Sequence, residues 1–214
     1  MQLNNDRLSA FIELMDKDEP DYIYELEKKA GTDDIPIIRP QTRAILRFLL
    51  ALTKPLKILE VGTATGFSAL YMREYGGKGL KITTIENYEK RILEARENFK
   101  KYDKSSQIEL ICGDAAEALP VLSEEFDWIF MDAAKGQYLK FLPDCTRLLK
   151  IGGLLISDNV MQDGDVIESR FALERRDRTI HSRMREYIYE LKHSNDYETC
   201  LLSDGDGVAL SVRI

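Results

Sequence analysis

Cysteine is scarce in this 214-residue chain: Cys112, Cys145 and Cys200 are odd in number, far apart and without a Cys-x-x-Cys pair. That pattern excludes a disulfide framework and a thiolate zinc centre, and it fits a reduced, cytoplasmic setting. Histidine is scarcer still, with only His181 and His193, so a metal held within one subunit would have to be held by oxygen. Long apolar runs are missing, and the segment Met1–Asp6 lacks the basic stretch and hydrophobic stretch of a leader, so secreted and membrane-bound readings are poor. Positive charge is in deficit too, 30 Lys and Arg against 37 Asp and Glu, net −7. Such a field disfavours indiscriminate binding to nucleic acid or anionic membrane, though a local basic patch stays open. No repeat, low-complexity tract or linker interrupts the chain. A single domain over 1–214 is expected.

What is present is alternation. Short apolar or β-branched runs at Lys57–Val61, Lys81–Ile85, Ile108–Cys112, Phe126–Met131 and Leu154–Ser157 are separated by segments long enough for crossover helices. That predicts an α/β fold with five parallel strands covered on both faces. The tail changes character: Glu198–Ser203 and Val208–Arg213, joined by Asp204-Gly205-Asp206-Gly207, read as an antiparallel hairpin, so the sheet should be mixed. A helical extension over 1–40 places Leu8, Phe11, Ile12 and Met15 on one apolar face, either to cap a sheet edge or to contact a second copy in a homodimer. A helical insertion over 160–195 precedes the hairpin, with Ile180, Met184, Ile188 and Leu191 as its expected buried stripe.

The sharpest local signal is Glu60-Val61-Gly62-Thr63-Ala64-Thr65-Gly66-Phe67-Ser68, a glycine turn between a strand and a helix. Glycines let backbone approach a ligand, and the following helix N-terminus favours negative charge. Thr63-Ala64 stands where the dinucleotide fingerprint needs its second glycine, so a nucleoside without pyrophosphate fits better than a nicotinamide cofactor. Glu86, ending the second strand, falls where a carboxylate accepts ribose hydroxyls, and Gly113-Asp114-Ala115 follows the third strand, where an adenine edge would lie. The plainer alternatives are a tight turn, a solvated glutamate and a helix cap at Asp114.

Asp132 follows the fourth strand, and Asp158-Asn159 follow the fifth. In an open parallel sheet these ends share one crevice, so two carboxylates and an amide would offer hard oxygen ligands for Mg²⁺, Mn²⁺ or Ca²⁺. Lys135, three residues past Asp132, reaches the same place as a candidate base, unless it is an ordinary surface lysine.

Together, Glu60–Gly66, Glu86, Gly113-Asp114-Ala115, Met131-Asp132-Ala133-Ala134-Lys135-Gly136-Gln137-Tyr138 and Ser157-Asp158-Asn159-Val160 resemble the cation-dependent, S-adenosylmethionine-dependent O-methyltransferases, the catechol and caffeoyl-coenzyme A type. The resemblance implies a Rossmann-like, seven-stranded mixed sheet with its last strand antiparallel. It implies that Ile38, Glu60, Gly62, Ser68, Glu86, Gly113, Asp114, Ala115 and Asp132 hold the cofactor. It also implies that Asp132, Asp158 and Asn159 bind the metal and that Lys135 is the general base, with Asp132 beside it in the catalytic machinery. Bacterial members resembling this chain methylate 5-hydroxyuridine at the tRNA wobble position.

Two acceptors present the vicinal oxygens that chelation needs: a small catechol or caffeoyl-type phenol, and 5-hydroxyuridine in tRNA. The cluster Arg170, Arg175, Arg176, Arg178, Arg183 and Arg185, with Glu174 and Asp177 the only acids among its first residues, inclines the reading to tRNA, with Arg175, Arg176 and Arg178 as substrate contacts. A non-catalytic nucleotide-binding protein is the rival from another class, and the trio with Lys135 speaks against it.

Overall fold

A computed structural model describes residues 5–169, 171, 174, 178–203 and 205–214, and of residues 5, 6, 8, 9, 162 and 163 the backbone alone. Three helices come first: α1 (Asn5–Leu14), α2 (Asp21–Thr32) and α3 (Pro40–Thr53). Pro40 opens α3 with the φ its ring already imposes, and Lys54, at a φ of +50°, closes it. Then β1 (Lys57–Val61), α4 (Phe67–Tyr75), β2 (Lys81–Glu86), α5 (Glu89–Tyr102), β3 (Ile108–Cys112), α6 (Ala115–Val121) and β4 (Phe126–Met131) alternate as expected. A 3₁₀ turn at Lys135–Gln137 leads into α7 (Tyr138–Leu148), β5 (Leu149–Ser157), a second 3₁₀ segment at Gln162–Ile167, α8 (Arg178–His193), β6 (Tyr197–Leu202) and β7 (Val208–Arg213).

The seven strands form one sheet in the order β3-β2-β1-β4-β5-β7-β6, parallel through β5, with β7 antiparallel to both neighbours. The last strand therefore inserts between β5 and β6, and β6 is left at the edge. Its burial alternates from Tyr197 to Cys200, as befits a strand with one solvated face, whereas β1 is buried from Ile58 to Val61 on both faces. The fifth strand starts at Leu149, five residues before the expected Leu154, because Gly152 and Gly153 let the chain pair through an irregularity opposite Phe126 and Trp128.

Two apolar layers flank the sheet. Ile23, Leu26, Leu46, Leu50 and Leu70 pack on one face, and Phe141, Leu148, Met184, Tyr187 and Leu191 on the other. Helices α2 and α3 thus cover a face of the sheet, not the edge expected for the N-terminal extension, while Phe11 and Ile12 of α1 and Met15 just past it stay exposed. The stripe of α8 needs correction: its buried residues are His181, Met184, Tyr187 and Leu191, with Ile180 and Ile188 only partly covered. Tyr187 can turn inward because Ser157 Oγ, 2.5 Å away, meets its hydroxyl. All three cysteines are free, and among the described residues no helix is long and apolar enough to cross a membrane.

Candidate active site

Four of the parallel strands, β1, β3, β4 and β5, are each continued past their end by one more ladder hydrogen bond: Gly62 N to Ile85 O, Gly113 N to Glu86 O, Asp132 N to Val61 O and Asp158 N to Met131 O, all 2.9–3.1 Å. These bonds carry the first loop residues in register and bring four strand ends to one crevice. A cavity of about 400 Å³ opens there, lined by Gly62, Ala64, Glu86, Gly113, Asp114, Ala115, Asp132 and Ala133 with their neighbours.

The glycine turn is shaped by contact as well as by φ. At Gly62, φ is +101°, and a side chain would collide with the backbone carbonyl of Asp132; at Gly66, φ is +81°, and the Phe99 ring fills the space. Ala64 also sits in the left-handed region at +45°, a conformation that costs an alanine about 1 kcal/mol. Glu86 offsets that cost, because its Oε2 accepts from Ala64 N at 2.8 Å while Oε1 accepts from Asn87 N and Tyr88 N. Asp114 both lines the cavity and caps α6, accepting from Ala116 N at 2.8 Å. The two readings of that residue are compatible.

Glu60, Ser68 and Ile38, which the resemblance assigns to the cofactor, stand outside the residues that line this cavity. Glu60 is fully buried behind the turn, facing the hydroxyls of Thr84 and Ser68, and Thr84 in turn meets Thr63 Oγ1 at 2.5 Å. Burial pushes the Glu60 carboxyl up to about 8, so it sits there as a proton-bearing brace for the turn. Ser68 belongs to the same buried group, and Ile38 packs in the apolar layer beneath α4.

The oxygen trio does assemble. Asn159, held at a φ of +59°, directs its Nδ2 to Asp132 Oδ1 at 3.3 Å. Asp158, only 2% exposed, accepts at Oδ1 from Asn159 N and from Thr42 Oγ1, each at 3.0 Å. The Tyr138 hydroxyl, buried between the carbonyls of Met131 (3.2 Å) and Asp158 (3.1 Å), ties the two strand ends together. Neither Thr42 nor Tyr138 emerged from the sequence; Tyr138 closes the quoted Asp132–Tyr138 segment and offered a signal there, whereas Thr42, 116 positions from its partner, offered none. Burial and the neighbouring Asp158 charge raise the Asp132 carboxyl to about 7, and burial raises Asp158. Lys135 is close enough to lower both.

A buried and a half-buried carboxylate repelling one another, with the Asn159 side-chain amide beside them, form a donor set suited to a hard divalent cation, which would relieve the repulsion. Among the described residues no group of three or more His, Cys, Asp and Glu side chains gathers.

The arginine cluster is only partly in view, since Arg170, Arg175 and Arg176 lie outside the described residues. Arg178 opens α8, Arg183 Nη1 donates to Gly136 O at 3.0 Å, and Arg185 Nη1 donates to Val166 O at 3.0 Å.

Fold and crevice together define a Rossmann-like methyltransferase: a seven-stranded sheet with an inserted antiparallel last strand, and a nucleoside-sized cavity at the glycine turn. Residues 14–214 match the family model described as O-methyltransferase, and the chain belongs to that family. It is 33% identical over 135 residues to the catechol O-methyltransferase of Niastella koreensis, covering 61% of each chain, so the match spans about three fifths of that relative's length. A Staphylococcus aureus structure, whose assignment as a caffeoyl-CoA O-methyltransferase is itself an inference, superposes with a TM-score of 0.87 at 31% identity over the whole of both chains. An SAH-bound methyltransferase from Podospora anserina gives 0.89 at 28% identity, covering all of this chain and 98% of that one.

Proposed function

We propose that this chain transfers a methyl group from S-adenosylmethionine to a hydroxyl that has a second oxygen beside it, with a divalent metal ion, Mg²⁺ or in its place Mn²⁺ or Ca²⁺, at Asp132, Asp158 and Asn159. The observation that carries the reading is that Asn159 links the two carboxylates, its side chain donating to Asp132 and its backbone N to Asp158, with Asp132 a wall of the cavity at the glycine turn.

Glu86 takes the ribose hydroxyls, and Asp114 with the backbone of Gly113 and Ala115 takes the adenine edge. S-adenosylmethionine held there would supply the electrophilic methyl, and a dication held by Asp132, Asp158 and Asn159 would make the acceptor hydroxyl more acidic. Lys135 Nζ receives the proton of that hydroxyl. The buried walls exclude water and align oxygen, carbon and sulfur, which is where most of the acceleration arises. The brace of Glu60, Ser68, Thr84 and Thr63 keeps the turn in its binding shape.

As acceptor we propose 5-hydroxyuridine at the tRNA wobble position, converted to 5-methoxyuridine, its 5-hydroxyl and 4-oxo groups being the vicinal pair. Support comes from Arg183, whose bond to Gly136 fastens α8 beside Lys135, and from the run of arginines that precedes and opens α8 in the sequence, with Arg175, Arg176 and Arg178 as the proposed substrate contacts. A catechol-type phenol is the second reading, favoured by the relative from Niastella koreensis. The exposed apolar residues Phe11 and Ile12 of α1, Met15 just past it, and Phe48 and Leu52 of α3 support a homodimer, and three free cysteines suit a reducing cytoplasm. Exhaustive chelation with EDTA should abolish methyl transfer to either acceptor; activity that survives it contradicts the metal-dependent reading.

A further inference from the structure

Asp158 stands just past the end of β5 with one of its oxygens already committed. Oδ1 accepts from its neighbour's amide, Asn159 N, and from the hydroxyl of Thr42, which belongs to a helix on the other side of the chain's order, 116 positions earlier. Thr42 is 2% exposed, so its hydroxyl is shielded from bulk solvent. The helix is itself held in place: Arg43, the next residue, makes a two-pronged pair with Glu27 of α2, Nη1 to Oε2 at 3.1 Å and Nη2 to Oε1 at 2.9 Å. Leu46 and Leu50, one and two turns on, are buried against the sheet. A threonine on a rigid helix, donating to one carboxylate oxygen, fixes the rotation of that carboxylate and leaves Oδ2 as the oxygen available to a ligand.

We infer that Thr42 is a positioning residue for the metal site: its hydroxyl orients Asp158 so that the carboxylate offers one defined oxygen to a divalent cation. The inference rests on the metal part of the proposed function. Partners that orient a ligating carboxylate typically govern 10–100-fold in metal affinity, because an unheld carboxylate must be ordered at the moment of binding. Thr42→Val keeps the shape and removes the donor, and Thr42→Ser keeps the donor and removes the methyl.

The test is Mn²⁺ binding to the protein alone, followed by electron paramagnetic resonance of the free ion, with SAH affinity and thermal stability measured on the same samples. Thr42→Val should bind Mn²⁺ about 10–100-fold more weakly than the wild type, Thr42→Ser within a few-fold of it, and both should bind SAH as the wild type does. Should Thr42→Val fail to fold, Thr42→Ala carries the same expectation. Wild-type affinity in Thr42→Val overturns the inference, and so does equal damage in Val and Ser, which would assign the effect to the methyl group's packing. A wild-type protein that binds no Mn²⁺ overturns the metal reading itself and the role of Thr42 with it.

Discussion

Glu86 Oε2 accepts a hydrogen bond from Ala64 N at 2.8 Å, joining the end of β2 to the one non-glycine residue of the turn held in the left-handed region. The same carboxylate therefore shapes the turn and faces the cavity. Glu86→Ala should weaken SAH binding by about 10–100-fold, since a hydrogen bond to a charged group contributes about 1.5–3 kcal/mol. Isothermal titration reads this directly; unchanged affinity would show that Glu86 only braces the turn.

Asp158→Ala separates an enzyme from a binding module. Methyl transfer should fall to background, while SAH affinity stays within a few-fold of wild type, because Asp158 does not line the cavity. A variant that still methylates at a tenth of the wild-type rate would remove Asp158 from the metal site.

Lys135 is expected to act on the rate and not on cofactor binding. Lys135→Met should lower kcat by about 10²–10⁴-fold, the usual contribution of a positioned base, with KM for S-adenosylmethionine little changed. A loss confined to KM would make Lys135 a binding residue.

How much of this was legible beforehand differs by residue. The parallel strands could be read because β1, β2 and β4 are short apolar runs bounded by helical patterns, and the carboxylates because each stands one step past a strand. The insertion of β7 between β5 and β6 was not legible, since a hairpin's local pattern is the same whichever strand faces the sheet. The phase of the α8 stripe was misread because Tyr187 and His181 carry polar atoms that the fold buries, Tyr187 with Ser157 as its partner. Glu60 shows the limit most clearly: the motif marks it as important, but only the three-dimensional arrangement puts it behind the turn, against Thr84. Thr42 belongs to the same class of long-range contact.

Glu60 also makes stability depend on pH. Its carboxyl ordinarily titrates near 4.5 and in the fold near 8, so between those values the folded protein keeps a proton that the unfolded chain has lost. Stability should therefore fall as pH rises through that window, by up to about 1.4 kcal/mol per pH unit from this group, and Glu60→Gln should remove that slope. Urea unfolding of both proteins in EDTA at several pH values checks it; parallel slopes would mean that Glu60 is ionised in the fold.

The Gly62 contact predicts a structural cost. Gly62→Ala places a methyl against the Asp132 carbonyl at a φ that alanine avoids, and should destabilise the protein by about 1–3 kcal/mol while also weakening SAH binding. Thermal unfolding with and without SAH reads both effects.

The central claim is metal-dependent methyl transfer to an oxygen in tRNA. Incubation with Mg²⁺, methyl-labelled S-adenosylmethionine and tRNA containing 5-hydroxyuridine, followed by nucleoside mass spectrometry, tests it most directly. Label in 5-methoxyuridine, lost on adding EDTA, is the predicted result. An unlabelled nucleoside from a preparation that still methylates a catechol would contradict the tRNA reading and assign the site to small phenols.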